Sequence, residues 1–188
     1  MSRYSRAIPN FLTLFRVAAA PALLIVYVAM PNNWLMTAIF CLAAITDWLD
    51  GYIARRQNSF SALGAFLDPV ADKLLVIVAL VIISHHYSHN NYLLVCVVII
   101  ISREIAVSAL REWMATIGKI KLMRVQQLAK IKTGMQMLGT GILLVDFNSL
   151  FNDLGFYCLM IATVLTLCSM VQYLKIAAQD LTFFSEST

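Results

Sequence analysis

The chain has 188 residues, of which 61% are hydrophobic and 13% charged, with a net charge of +4. A soluble domain carries about 25% charged residues, so this chain could not cover a water-facing surface, and it is far too apolar to be disordered. With 7 Gly, 4 Pro and 4 Cys it is neither collagen-like nor a disulfide scaffold, which leaves an integral membrane protein.

Six spans of about 20 residues would use most of the chain. No charge occurs from Val17 to Thr46, and Pro31-Asn32-Asn33 breaks that run. Two helices are expected there, over 10–30 and 34–55. The next charge-free run, Leu74 to Ser102, is interrupted by the polar stretch from His85 to Asn91. It predicts helices over 69–86 and 92–114. A fifth helix is expected over 124–146 and a sixth over 153–178. The fold expected is an all-α integral membrane bundle of six transmembrane helices, forming one domain over residues 1–188. Met1 to Pro9, with Arg3 and Arg6 among apolar residues, reads as a short interfacial helix or a frayed tail. The four cysteines, Cys41, Cys96, Cys158 and Cys168, lie in apolar stretches and read as buried small hydrophobes.

Six spans put both termini on one side, and charge placement tests this. Arg3, Arg6, Arg55, Arg56, Arg111, Lys119, Lys121, Arg124 and Lys175 fall on the terminal side. The other three connections, around Asn32, His85 to Asn91 and Asp146 to Asp153, contain no Lys or Arg. That asymmetry predicts cytoplasmic termini in a multi-pass membrane protein.

The acids then divide. Asp146, Asp153 and Asp180 flank span ends and read as solvated. Asp47, Asp50, Asp68 and Asp72 lie at the expected cytoplasmic ends of helices 2 and 3, where acids are rare and face a cavity or a partner. Asp47 and Asp50 are i, i+3, and Asp68 and Asp72 are i, i+4, so each pair shares a helix face. If helices 2 and 3 are antiparallel neighbours, the four carboxylates converge. Four such anions repel strongly, and Arg55 is the one arginine well placed to reach them. Two divalent cations would cancel their charge, and the all-oxygen donor set favours Mg²⁺, Mn²⁺ or Ca²⁺ over zinc. Separate ion pairs with Arg55, Arg56 and Lys73 are the plainer reading, but they account for neither the spacing nor the glycines. Gly51 and Gly64 sit beside these acids, where a missing side chain leaves room for a ligand or for a neighbouring helix.

The run Asp47-x-x-Asp50-Gly51-x-x-Ala54-Arg55, eight residues, then Gly64-x-x-x-Asp68-x-x-x-Asp72 resembles the signature of the CDP-alcohol phosphatidyltransferase family at every fixed position. The resemblance implies displacement of CMP from CDP-diacylglycerol by an alcohol. It implies that Asp47, Asp50, Asp68 and Asp72 share two divalent cations, Mg²⁺ or Mn²⁺, and that Asp72 is the general base. Gly51, Arg55, Ser61 and Gly64 match its CDP-lipid side, and Asn10 and Thr13, on the face that opens helix 1 with Arg16, are expected there too.

Ser102-Arg103-Glu104 and Lys130-x-Lys132-Thr133-x-x-Gln136 bear on the acceptor. Arg103 and Glu104 could simply pair with neighbours, and the lysines could be snorkelling anchors. A cavity with Arg103, Arg111, Lys130 and Lys132 would suit an anionic acceptor, whereas neutral inositol or choline would not need it. With the PNxxTxxR opening, these elements resemble the members that use sn-glycerol 3-phosphate as acceptor. Ala129 departs from the glycine common before the first lysine. Phosphatidylglycerol, inositol phosphate or serine are alternative acceptors, and a small cation transporter is the rival from another class. Membrane lipid and a second copy, as a homodimer, are the expected partners, with no nucleic acid. A bacterial cytoplasmic membrane is the expected location, with the active site facing the cytoplasm.

Overall fold

In the computed structural model, residues 4–57, 62–116 and 127–185 are described, and all regular structure among them is helical. Six helices follow in order: α1 (Tyr4–Ala29), α2 (Asn33–Gln57), α3 (Ala62–His86), α4 (Asn91–Thr116), α5 (Gln127–Val145) and α6 (Ser149–Ser185). Helix α1 begins at Tyr4 and takes in Pro9, so the described part of the N-terminal segment is the first turns of α1 rather than a separate interfacial helix. Helix α6 runs beyond the expected 153–178 at both ends.

The breaks fall where sequence chemistry places them. Asn32 accepts the Leu35 amide at 3.0 Å, Asn90 accepts the Leu93 amide at 3.1 Å, and Asn148 accepts the Phe151 amide at 2.9 Å. Each asparagine satisfies one of the amides left without an intrahelical partner at the start of α2, α4 or α6. The polar interruptions in the apolar runs are therefore helix caps as well as water-facing links.

Among the described residues, two helices are long and apolar enough to cross a membrane, over Asn91–Thr116 and Ser149–Lys175. In the other four helices the described side chains form apolar stretches over Leu14–Ala29, Asn33–Thr46, Lys73–His86 and Ile131–Val145. Large apolar side chains are exposed on every helix, among them Val28, Trp34, Val81, Tyr92, Leu138 and Leu150. Apolar surface on this scale needs lipid or protein over it. Among the cysteines, Cys96 and Cys158 are buried as expected, but Cys41 and Cys168 are exposed. A surface that meets lipid does not force a thiol inward.

The chain divides into two compact units. The first holds residues 1–87 and 140–152. Within it α1 packs on both α2 and α3, while α2 and α3 touch each other little among the described residues. Among the described residues, α1 is thus a shared neighbour of helices 2 and 3. Its buried face carries Ala19, Ala20 and Leu23, and Met36, Phe40 and Ala43 of α2 and Ala71, Leu75, Ala79 and Ile83 of α3 are buried as well. Alanine at these positions lets helix backbones approach closely, the packing mode that works where lipid is as apolar as the side chains.

Asp146 lies in this unit and was expected to be a solvated helix-end acid. It instead accepts hydrogen bonds from Tyr87 Oη at 2.8 Å, His86 Nε2 at 3.0 Å and Asn152 Nδ2 at 2.6 Å. Its φ of 50° places it in the left-handed region that ends a helix, which Asp tolerates better than most residues. Burial alone would raise its pKa, but the three hydrogen bonds outweigh burial and hold it below the ordinary value of 3.8. Burial first, and donation to Asp146 second, push the Tyr87 phenol well above its usual pKa, so it stays a donor. A depressed carboxylate stabilises the fold above its unfolded pKa and loses that contribution as pH falls through the folded one. Asp146→Asn is therefore expected to cost roughly 1–3 kcal/mol near neutral pH. Melting of the two proteins across a pH series checks this: the gap should close as pH falls below 3.8.

The second unit holds residues 88–139 and 153–188. Here α5 and α6 come very close. A Cβ on Gly139 would lie 2.9 Å from the Gly155 carbonyl oxygen and 3.1 Å from Cys158 Cβ. A Cβ on Gly134 would meet nothing within 4 Å. Gly139→Ala is expected to lose roughly 1–3 kcal/mol by overpacking. Gly134→Ala is expected to gain up to about 1 kcal/mol of helix propensity. Thermal unfolding in detergent should show the two shifts with opposite sign.

Candidate functional site

The aspartates stand on two helices of the first unit. Asp47, Asp50, Gly51 and Arg55 lie in the second half of α2, and Gly64, Asp68 and Asp72 in the first half of α3. Both segments are α-helical through the motif, so Asp47 and Asp50 share one face of α2, and Asp68 and Asp72 share one face of α3. Their side chains lie outside the described residues, as do those of Asn10, Thr13 and Lys130, and Ser61 lies outside altogether. Pro69 directly follows Asp68 inside α3 and has no amide hydrogen for the Ala65 carbonyl. Carboxylates repeated at helical spacing form a hard-oxygen donor set, and such a set fits a divalent cation.

Arg16 of α1, on the helix face predicted for Asn10 and Thr13, is 2% exposed. A cation of that size is not left in a helical core without a function or a partner.

The second unit carries the other predicted group. Arg103 of α4 and Lys132 of α5 are buried, at 5% and 2% exposure. Glu104 Oε1 joins them, accepting from Arg103 Nη1 at 3.3 Å and from Lys132 Nζ. The structure therefore brings Arg103 and Lys132 together through Glu104, and Lys132 is not a snorkelling anchor. Arg111, on the same helix as Arg103, is exposed and stands apart from this cluster.

Sequence reasoning missed what α6 supplies. Arg103 Nη2 donates to Ser169 Oγ at 2.7 Å, and its Cζ lies 5.6 Å from the centre of the Tyr173 ring. Thr166, Ser169 and Tyr173 are all buried, and they recur at helical spacing along one face of α6. That recurrence of hydroxyls in an apolar helix was the available signal. Gln136, one turn beyond Lys132, is buried too. Beyond Arg103, an apolar cavity of about 340 Å³ lies between α4 and α6, lined by Ala106, Val107, Leu110, Trp113, Met170 and Leu174.

Comparison with known proteins gives the family. The family model described as CDP-alcohol phosphatidyltransferase matches residues 6–171. The chain is 46% identical over 177 residues to the CDP-diacylglycerol–glycerol-3-phosphate 3-phosphatidyltransferases of Salmonella choleraesuis, Shigella flexneri and Escherichia coli K12. Each alignment covers 93% of this chain and 96% of the relative. With the helical aspartate motif intact and the match spanning nearly its whole length, the chain belongs to the CDP-alcohol phosphatidyltransferase family.

Proposed function

We propose that this protein transfers the phosphatidyl group of CDP-diacylglycerol to sn-glycerol 3-phosphate, giving phosphatidylglycerophosphate and CMP. The observation that carries the reading is the 46% identity, over 93% of the chain, to enzymes named for that reaction. The buried Arg103–Glu104–Lys132 cluster supports the acceptor, because it holds more positive than negative charge.

Asp47, Asp50, Asp68 and Asp72 would hold two divalent cations, Mg²⁺ or Mn²⁺. When bound, these supply the charge that lets a diphosphate sit among carboxylates and that stabilises the charge developing on its oxygens. Gly51 and Gly64 leave room for the CDP moiety, which Arg55, Ser61, Asn10 and Thr13 contact. Asp72 accepts the proton of the acceptor's primary hydroxyl. The freed oxygen bonds to the phosphorus that carries the diacylglycerol, and the bond from that phosphorus to the CMP oxygen breaks. Arg103 and Lys132 bind the acceptor's phosphate, and Lys130 and Arg111, nearer the helix ends, add positive charge that draws the anionic acceptor in.

Residues 1–188 act as one catalytic membrane domain of six spans. Both termini and the site face the cytoplasm, where CMP and glycerol phosphate are water-soluble. The apolar cavity between α4 and α6 has the character of an acyl-chain groove. Two copies of the chain work as a homodimer. The test is CMP release by purified protein from CDP-diacylglycerol and Mg²⁺, with and without sn-glycerol 3-phosphate. Release that requires glycerol 3-phosphate is expected. Release that requires phosphatidylglycerol, inositol phosphate or serine instead would keep the chemistry and overturn the acceptor.

A further inference from the structure

Among the described residues, charge in the Arg103–Glu104–Lys132 cluster does not balance. Arg103 and Lys132 bring two buried positive charges, and Glu104 meets both with one negative charge. A buried charge in excess costs several kcal/mol unless an anion joins it. Arg103 also has donor capacity left over. Its Nη1 is used on Glu104 and its Nη2 on Ser169, but its Nε is buried with no hydrogen-bond partner among the described residues.

What fixes that free edge comes from α6. The Ser169 hydroxyl donates its own proton to the Thr166 carbonyl at 2.9 Å, so its oxygen is turned to accept from Arg103. Tyr173, one turn further on and 5% exposed, places its ring against the guanidinium. A planar guanidinium held by a hydrogen bond on one side and an aromatic face on another loses little freedom when an anion arrives. Held in this way, it is preorganised for phosphate before the ligand binds.

We propose that Ser169 and Tyr173 are positioning residues, which hold the Arg103 guanidinium so that its unpaired Nε edge receives the phosphate of the acceptor. This rests on the reading of an anionic acceptor given above. Neither residue touches the reacting atoms. Their effect should therefore fall on acceptor binding and not on the lipid substrate or the chemical step.

The experiment is steady-state kinetics in mixed micelles on Ser169→Ala, Ser169→Thr, Tyr173→Phe and Tyr173→Leu, with each protein's melting temperature as a check on folding. Ser169→Ala is expected to raise KM for glycerol 3-phosphate by about ten- to a hundredfold, the size of one hydrogen bond to a charged group. KM for CDP-diacylglycerol and kcat should stay within about twofold, since one bond to Arg103 is all that is removed. Ser169→Thr should restore acceptor binding. Tyr173→Phe should behave as the parent because the ring face remains, and Tyr173→Leu should raise the acceptor KM alone. Unchanged acceptor KM in both Ser169→Ala and Tyr173→Leu, or an equal rise for both substrates, overturns the proposal. If the parent protein proves to use a different acceptor, the glycerol 3-phosphate reading fails first and separately. The same comparison with that acceptor then decides: a selective rise for a phosphate-bearing acceptor upholds the positioning role, and an uncharged acceptor overturns it.

Discussion

Asp72→Asn is expected to lower turnover by about 10²–10⁴-fold, the usual contribution of a positioned general base. Asparagine keeps the shape of aspartate but cannot take the acceptor's proton. Asp72 lies one turn beyond Asp68 on the same face of α3, and Asp47, Asp50 and Asp68 would still supply three carboxylates. Metal-dependent binding of CDP-diacylglycerol should therefore largely survive. Single-turnover CMP release, run beside equilibrium binding of the lipid nucleotide, separates the two properties. Loss of turnover with retained binding is the expected pattern. Normal turnover would remove Asp72 from the base role, and loss of both would make it chiefly a metal ligand.

The second large effect is on stability. Glu104 is the shared counter-charge of Arg103 and Lys132, and both cations are buried. Glu104→Gln would leave two neighbouring cations with no anion among the described residues. Breaking a buried ion pair from one side costs about 3–5 kcal/mol. For a chain of this size that corresponds to a melting temperature lower by roughly 10 °C. Removing one cation as well, in Glu104→Gln with Lys132→Met, should recover much of the loss, because a balanced apolar replacement tolerates burial. Thermal unfolding of the two variants in detergent measures this directly. A single variant that melts with the parent, or a double variant no better than the single one, would contradict a shared counter-charge.

The aspartate motif was legible in the sequence because its information is local. Asp47 with Asp50, and Asp68 with Asp72, need only helical spacing to share a face, and α2 and α3 supply the helices. The ends of α2, α4 and α6 were legible for the same reason, since Asn32, Asn90 and Asn148 act within three residues of themselves. The contacts of Asp146 were not legible. Its partners His86 and Tyr87 are 60 and 59 residues away in sequence, and no pattern near Asp146 points to them. Ser169 and Tyr173 were hidden differently: one hydroxyl and one tyrosine in an apolar span look like ordinary membrane-helix residues until Arg103, 66 residues from Ser169, is seen against them. The role of α1 as the common neighbour of α2 and α3 was missed because alanines such as Ala19 and Ala20 carry no directional signal in sequence.

The central claim is phosphatidyl transfer to glycerol 3-phosphate. The most direct measurement follows the acceptor: purified protein, CDP-diacylglycerol, Mg²⁺ and radiolabelled sn-glycerol 3-phosphate, with label counted in the organic-soluble lipid. The expected result is a labelled phosphatidylglycerophosphate, formed in step with CMP and abolished when the divalent cation is chelated. CMP released without label entering the lipid, or no reaction from protein shown to be folded, would contradict the claim.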